Sequence, residues 1–135
     1  MIELECLGNK DLLKLPKTAF LASNTVSPEL VMKCYDWATE MRQQGRCVVS
    51  GFSSKLEKDV LHFLLKGNQP IIMVLARKMY KRIPEELEGI LAQNRLLIIS
   101  TSNASRQSRA TALARNKYVC EMADEVKWVG ATKRE

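Results

Sequence analysis

The chain of 135 residues is long enough to bury one hydrophobic core, and we expect a single domain over residues 1–135. Hydrophobic residues make up 46% and charged residues 27% of the chain, which is typical of a soluble globular protein. No apolar run approaches the roughly 20 residues of a membrane helix, and the acidic start Met1–Glu5 lacks a signal-peptide pattern, so we expect a cytoplasmic protein without membrane contact.

Predicted strands and helices alternate along the chain. The run Ile71–Leu75 is uninterrupted and apolar, as expected at the centre of a parallel sheet that is covered on both faces. Ser27 and Pro28 mark the start of a helix, and Gly45 marks its end. The predicted order is an edge strand at 4–7, a strand at 18–23, a helix at 28–44, a strand at 48–49, a helix at 54–66, a strand at 71–75, a helix from 84, a strand at 96–99, a helix at 105–122 and a strand at 125–129. This order predicts an α/β fold, a three-layer Rossmann-like arrangement with a mostly parallel sheet and helices on both faces.

The end of the second core strand contains a candidate anion site. The strand ends at Ser50 and Gly51, and Ser53 or Ser54 can cap the helix that follows. Gly51 can adopt a backbone conformation that other residues avoid. We expect free backbone N–H groups at the N-terminus of this helix, where an anion such as phosphate binds well. The alternative is an ordinary strand-to-helix turn, which recurs throughout α/β folds.

Small polar side chains follow several of the predicted strands. They occur at 23–25, at 50–51 and at 100–103, and Lys78 follows the strand at 71–75. Because ligands of open parallel sheets bind at the carboxyl ends of the strands, we expect these segments to share one rim. Hydroxyl groups, free N–H groups and nearby basic side chains favour a phosphate ligand there.

Basic residues are unevenly distributed. The net charge is +6, and no Asp or Glu occurs between Gly89 and Cys120. A second basic cluster spans Arg77–Arg82. Basic segments without interleaved acids favour a polyanionic partner through counterion release, although a solvated surface that keeps the protein soluble is the alternative. The basic residues of the acid-free segment are Arg95, Arg106, Arg109, Arg115 and Lys117.

Motifs for catalysis, for a cofactor and for a metal are not found. The sequence has no GxSxG, P-loop or GxGxxG motif, and its four cysteines form no CxxC pair. His62 is expected on a helix surface, so we predict neither a metal nor a cofactor. Glu57 is the carboxylate nearest the rim, and we expect it to form a salt bridge on the helix surface rather than to act in catalysis. These residues favour binding over catalysis.

Three short motifs occur in a distinctive order. Gly8–Leu13 with Pro16 is similar to the pattern GNxxLL…P, Gly45–Gly51 is similar to G…VVSG, and Arg115–Lys117 before Asp124 is similar to RNR…DxV. In this order the motifs resemble the Rossmann-like core of the DNA-processing protein A family (DprA, also called Smf). The resemblance spans nearly the whole chain.

The chain departs from the patterns of that family at several positions. Ala22–Asn24 stands where the family has Gly-Ser/Thr-Arg after the first core strand. The family segment SGxARGID is Ser50–Glu57 here, so its arginine is replaced by Ser54, with Lys55 beside it. Leu113 and Ala114 replace the Phe-Pro pair that precedes RNR.

The resemblance implies a non-enzymatic domain that binds single-stranded DNA in DNA uptake and recombination. It also implies hand-over to a RecA-type recombinase and a homodimer. Phe52 and Tyr80 are the only plausible stacking partners for bases near the rim. Two alternatives stay open, namely a nucleotide-binding or sensing module of the same fold and a phosphoribohydrolase-like enzyme acting on nucleoside monophosphates, although the PGGxGTxxE motif of such enzymes is missing. The predicted phosphate- or DNA-binding residues are Ser50, Gly51, Ser53, Lys55, Lys78, Arg109, Arg115, Asn116 and Lys117.

Overall fold

The computed structural model describes residues 4–130 and contains one six-stranded sheet. The prediction of one domain also included residues 1–3 and 131–135, which lie outside this range. The strand order is β1-β5-β4-β3-β2-β6, and within the described residues only β1 runs antiparallel to its neighbour. The elements are β1 (Glu5–Gly8), a 3-10 helix (Lys10–Lys14), β2 (Lys17–Ala22), α1 (Pro28–Gln44), β3 (Cys47–Ser50), α2 (Lys55–Leu65), β4 (Ile71–Leu75), α3 (Glu85–Ala92), β5 (Leu96–Ser100), α4 (Arg109–Met122) and β6 (Glu125–Val129).

Successive strands are added to the sheet first on one side of β2 and finally on its other side. From β2 to β5 each strand lies beside the previous one, and α1, α2 and α3 connect them on one face. From β5 the chain returns through α4 to β6, which pairs with β2 on its other side. Since crossover connections between parallel strands are right-handed, the reversal of direction places α4 on the opposite face. The predicted α/β fold with a mostly parallel sheet and helices on both faces is confirmed.

Alternate residues of the central strands build two hydrophobic clusters. On the side of α1 to α3, the strands contribute Phe20, Val48 and Met73. On the side of α4, they contribute Val49 and Val74, among others. Because successive side chains of a strand point to opposite faces, burial on both sides produces an uninterrupted apolar run such as that of β4.

Two helix starts show how capping sets the boundaries. Ser27 caps α1 as predicted, because its hydroxyl accepts the N–H of Leu30. The predicted start of α4 at Ser105 was wrong, since the helix begins at Arg109. The hydroxyl of Ser108 accepts the N–H of Thr111 (3.2 Å), and Oγ1 of Thr111 accepts the N–H of Ser108 (2.9 Å). This reciprocal capping fixes the helix start and leaves residues 105–108 in the preceding loop.

Candidate functional site

Four loops meet at the carboxyl ends of the parallel strands, which we call the carboxyl edge. They follow β2, β3, β4 and β5, at residues 23–27, 51–54, 76–84 and 101–108. The parallel pairing of these four strands confirms that the predicted polar segments share one rim. The second loop, at residues 51–54, is the β3–α2 turn.

The carboxylate of Glu57 lies inside the β3–α2 turn. Its side chain is only 4% exposed. Oε1 accepts the backbone N–H groups of Ser53 (2.8 Å) and Ser54 (3.1 Å), and Oε2 accepts the N–H of Ala22 (2.9 Å). The hydroxyl of Ser54 in turn accepts the N–H of Glu57, which completes a capping box. The expected salt bridge of Glu57 on the helix surface was therefore wrong, because the third position of a capping box directs the carboxylate back into the turn.

The backbone N–H groups just before α2 are paired within the turn. Ser53 and Ser54 donate to Glu57, and the N–H of Phe52 donates to Oγ of Ser50 (3.0 Å). Ser50 itself is 0% exposed. The left-handed backbone conformation occurs at Phe52, with φ of 50°, and not at Gly51. The side chain of Phe52 is 4% exposed and packs in the core, so it offers no surface on which a base can stack.

The guanidinium of Arg115 reaches the same turn from α4. It donates to Oγ of Ser53 (3.0 Å), to the carbonyl of Val74 (3.2 Å) and to Oδ1 of Asn116 (2.8 Å). Side chains tilt toward the N-terminus of their helix, and the N-terminus of α4 lies at the carboxyl edge, so this long side chain extends to the edge. Burial lowers the pKa of Arg115, and the charge of Glu57 acts in the opposite direction.

Gly51 lies against this guanidinium. A Cβ atom at Gly51 would overlap Nη1, Cζ and Nε of Arg115. Glycine is therefore required here by the close approach of Arg115, and not by the special backbone conformation that the sequence pattern indicated. Arg115, one of the predicted binding residues, does reach the turn, but its side chain is buried at 2% exposure.

Exposed and half-buried cations lie on the other side of the carboxyl edge, in the loops after β4 and β5. The two loops are joined, because the hydroxyl of Ser100 donates to the carbonyl of Arg77 (2.6 Å) and the N–H of Lys78 donates to the carbonyl of Ala104 (2.8 Å). Within residues 4–130, no carboxylate lies within 4.0 Å of a cationic group in these two loops. The same holds for the guanidinium of Arg109 at the start of α4. We call this set the basic patch; its members are Arg77, Lys78, Lys81, Arg82, Arg106 and Arg109.

Two further predicted residues lie apart from the basic patch. Lys55 is exposed at the first residue of α2 and forms a salt bridge with Asp59 (3.6 Å). Lys117 is exposed on α4, about 12 Å beyond Arg109 along the helix axis at 1.5 Å per residue. Lys117 is therefore displaced from the edge, whereas Lys55 lies on it.

The structure thus separates the predicted binding residues into groups. Lys55, Lys78 and Arg109 present cations at the edge, and Ser53 is half-buried with its hydroxyl bound to Arg115. The buried members are Ser50, Gly51 and Arg115, and Asn116 accepts a hydrogen bond from Arg115. The prediction omitted Arg77, Lys81, Arg82 and Arg106, which the basic clusters of the sequence already indicated.

The described part of the chain offers neither a metal site nor a membrane helix. Among residues 4–130, no three His, Cys, Asp or Glu side chains are grouped so that they could hold a metal ion. In the same range, no helix combines the length and the apolar character that crossing a membrane requires.

Comparison with known proteins places the chain in a family. The model of the family described as DNA recombination-mediator protein A matches residues 2–135. DNA processing protein A from Helicobacter pylori, whose structure was described for its single-stranded DNA binding mode, is 25% identical with a TM-score of 0.74, and the match covers 97% of this chain and 62% of that chain. DNA processing protein A from Streptococcus pneumoniae is 20% identical with a TM-score of 0.75, and the match covers 98% of this chain and 47% of that chain.

The chain spans less than two thirds of the length of both of these proteins. A molybdenum cofactor carrier protein from Chlamydomonas reinhardtii shares the fold alone, with 12% identity and a TM-score of 0.54 over 87% of this chain and 64% of that chain. A search of curated proteins found no match. Because the family model covers nearly the whole sequence, this chain belongs to the DNA recombination-mediator protein A family.

Proposed function

We propose that this domain binds single-stranded DNA through the basic patch and does so without catalysis. The observation that carries the proposal is a set of cations at the carboxyl edge with no carboxylate partner within residues 4–130. Such cations neutralise phosphates and release the counterions that surround DNA, which supplies most of the affinity of sequence-independent binding. The H. pylori relative, described for its single-stranded DNA binding mode, supports the same choice of ligand.

The basic patch is suited to a chain of phosphates. Lys81, Arg82, Arg106 and Arg109 are exposed, and the linked backbones of the two loops hold the cations in one region of the edge. Lys55 is a further exposed cation beside the β3–α2 turn, but it is paired with Asp59. Several separate positive groups fit a polymer with repeated charges better than they fit a single phosphate group.

Base stacking contributes little in this proposal. Phe52 is buried, and Tyr80 is half-buried with the Arg77 guanidinium 5.3 Å from its ring centroid. Without open aromatic surfaces, binding depends on the phosphate backbone and discriminates weakly between bases. We therefore expect steep salt dependence and similar affinity for oligonucleotides of different sequence.

The absence of catalysis is also part of the proposal. Glu57 is the carboxylate at the β3–α2 turn, and each of its oxygens already accepts backbone N–H groups. A general acid or base must reach the reacting group of a substrate, and a side chain buried in these bonds is poorly placed for that role. The predicted RecA-type partner, homodimer and cytoplasmic location stay predictions.

Fluorescence anisotropy with a labelled oligonucleotide at several salt concentrations tests the proposal. The double variant Arg106→Ala/Arg109→Ala should bind several-fold more weakly at low salt. Its slope of log affinity against log salt should be shallower by about 1.4, which is about 0.7 for each lost phosphate contact.

The matched control is Lys10→Ala/Lys14→Ala, because these lysines are exposed on the 3-10 helix at the opposite edge of the sheet. This control removes the same charge and should keep the slope of the wild type. Salt-insensitive binding, or an equal loss in both double variants, would overturn the proposal. Displacement of the oligonucleotide by a nucleoside monophosphate at equal nucleotide concentration would favour the nucleotide-binding alternative.

A further inference from the structure

We propose that Arg115 is a positioning residue that anchors the N-terminal half of α4, and with it part of the basic patch, without contacting DNA itself. This inference rests on the proposed function. It assigns to a buried arginine a role different from the direct phosphate contact that its basic segment predicts.

The hydrogen bonds of Arg115 connect three parts of the molecule. Ser53 belongs to the β3–α2 turn, Val74 belongs to β4, and Asn116 lies on α4 itself. Each nitrogen of the guanidinium donates at least one of these bonds, and Arg115 is 2% exposed. The group therefore has little capacity left for a phosphate.

Packing against Gly51 also restricts the position of the guanidinium, in addition to its hydrogen bonds. The absent Cβ of Gly51 leaves the space that the guanidinium fills. The nearby carboxylate of Glu57 supplies the opposite charge, and three backbone N–H groups hold that carboxylate in place. A charge that is buried, hydrogen-bonded and compensated in this way is a fixed structural element.

Helix α4 depends on this contact because it has few other anchors. Only Arg115 and Val119 are buried among its residues, and α4 is the only α-helix on its face of the sheet within residues 4–130. Val119 lies in the C-terminal half of α4, so Arg115 is the sole buried anchor of the N-terminal half. That half begins at Arg109 and follows the loop that carries Arg106. Loss of the anchor should therefore loosen these two members of the basic patch.

The test compares Arg115→Lys and Arg115→Met by DNA binding and by amide hydrogen exchange. Lysine keeps the charge but cannot reach three acceptors with a planar fork. Both variants should therefore lose about tenfold in affinity, which corresponds to about 1.4 kcal/mol. Amides of the turn and of residues 109–115 should exchange about tenfold faster, while amides of β4 keep the protection of the wild type.

A direct phosphate contact would give a different pattern. Lysine would then keep most of the affinity, and Arg115→Met would make the salt slope shallower by about 0.7. That result would overturn the proposal, as would wild-type exchange of residues 109–115 in both variants. Leu113→Ala serves as the control on the same helix, because Leu113 is 61% exposed, and it should change neither measurement.

A milder variant covers the case in which Arg115 substitutions prevent folding. Ser53→Ala removes one acceptor of the guanidinium and leaves the backbone N–H of Ser53 bound to Glu57. It should accelerate exchange of residues 109–115 by about two- to threefold, and unchanged exchange would overturn the proposal. If the wild type fails to bind DNA, the proposed function fails, whereas the exchange experiment still decides whether Arg115 anchors α4.

Discussion

The charged side chains on the two sides of the carboxyl edge differ in burial and in their protein partners. In the β3–α2 turn, the Glu57 carboxylate and the Arg115 guanidinium are buried and hydrogen-bonded by protein groups. In the basic patch, the cations have no carboxylate partner among residues 4–130. The sequence of the turn is typical of a phosphate site, yet the carboxylate of Glu57 already accepts the N–H groups of Ser53 and Ser54 that precede the helix. In this chain, therefore, the serine-glycine turn by itself does not indicate a site for an external anion.

This difference has a physical origin. A buried charge loses its hydration and must be compensated by hydrogen bonds and by an opposite charge. An exposed charge keeps its hydration, contributes little to stability and remains available to a ligand. Substitutions in the turn should therefore affect folding, whereas substitutions in the basic patch should affect binding.

The largest expected effect follows the removal of the buried negative charge. Glu57→Gln removes a negative charge that acts on Arg115 and weakens the acceptor of three backbone N–H groups. The free energy of unfolding should fall by about 3 kcal/mol, because at least one buried backbone N–H then faces an amide NH2 group and loses its acceptor. Urea unfolding measures this change. Exposed Glu88 on α3 offers the control Glu88→Gln, and equal midpoints for the two variants would contradict the contrast between buried and exposed charges.

A smaller effect is expected when Gly51 gains a methyl group. Gly51→Ala places Cβ against the Arg115 guanidinium, and overpacking of this kind costs about 1–3 kcal/mol. Gly89 provides a matched control, because it lies in α3 and a Cβ atom added there would meet nothing within 4 Å. Gly89→Ala should stabilise the protein by about 0.5–1 kcal/mol, since alanine is the better helix former. Thermal unfolding of both variants checks the opposite signs.

The smallest effect on stability is expected in the basic patch. Lys81→Ala/Arg82→Ala removes two exposed charges, and the free energy of unfolding should stay within about 0.5 kcal/mol of the wild type. The same variant should bind oligonucleotides more weakly, with a salt slope shallower by about 1.4. A loss of stability as large as that of Gly51→Ala would mean that the two sides of the edge are not distinct.

Much of the fold could be predicted because its signals are local. The apolar run of β4 and the serine and glycine around α1 reflect burial and capping that a short segment expresses by itself. The sequence predicts a start of α4 four residues too early, because Ser105 and Ser108 are both possible caps. Only the reciprocal bonds between Ser108 and Thr111 select the second serine.

The candidate site was predicted less completely. The spacing of Ser54 and Glu57 is that of a capping box, so the buried carboxylate could have been recognised from the sequence. The burial of Arg115 could not, because an arginine among polar residues of a helix is normally exposed. Its contact with Gly51 joins residues that are 64 positions apart, and no short segment records it.

The pairing of β6 with β2 also bears on how the chain folds during synthesis. The Ala22–Val129 pair joins positions 107 residues apart, so one edge of β2 lacks its neighbour until the chain has been synthesised through Val129. Pairing across such separations slows folding, since a large loop must close first. Until then, an unpaired strand edge is a template for association with other chains. The return of α4 across the sheet thus moves the open edge from the apolar strand β2 to β6, which carries the charged residues Glu125 and Lys127.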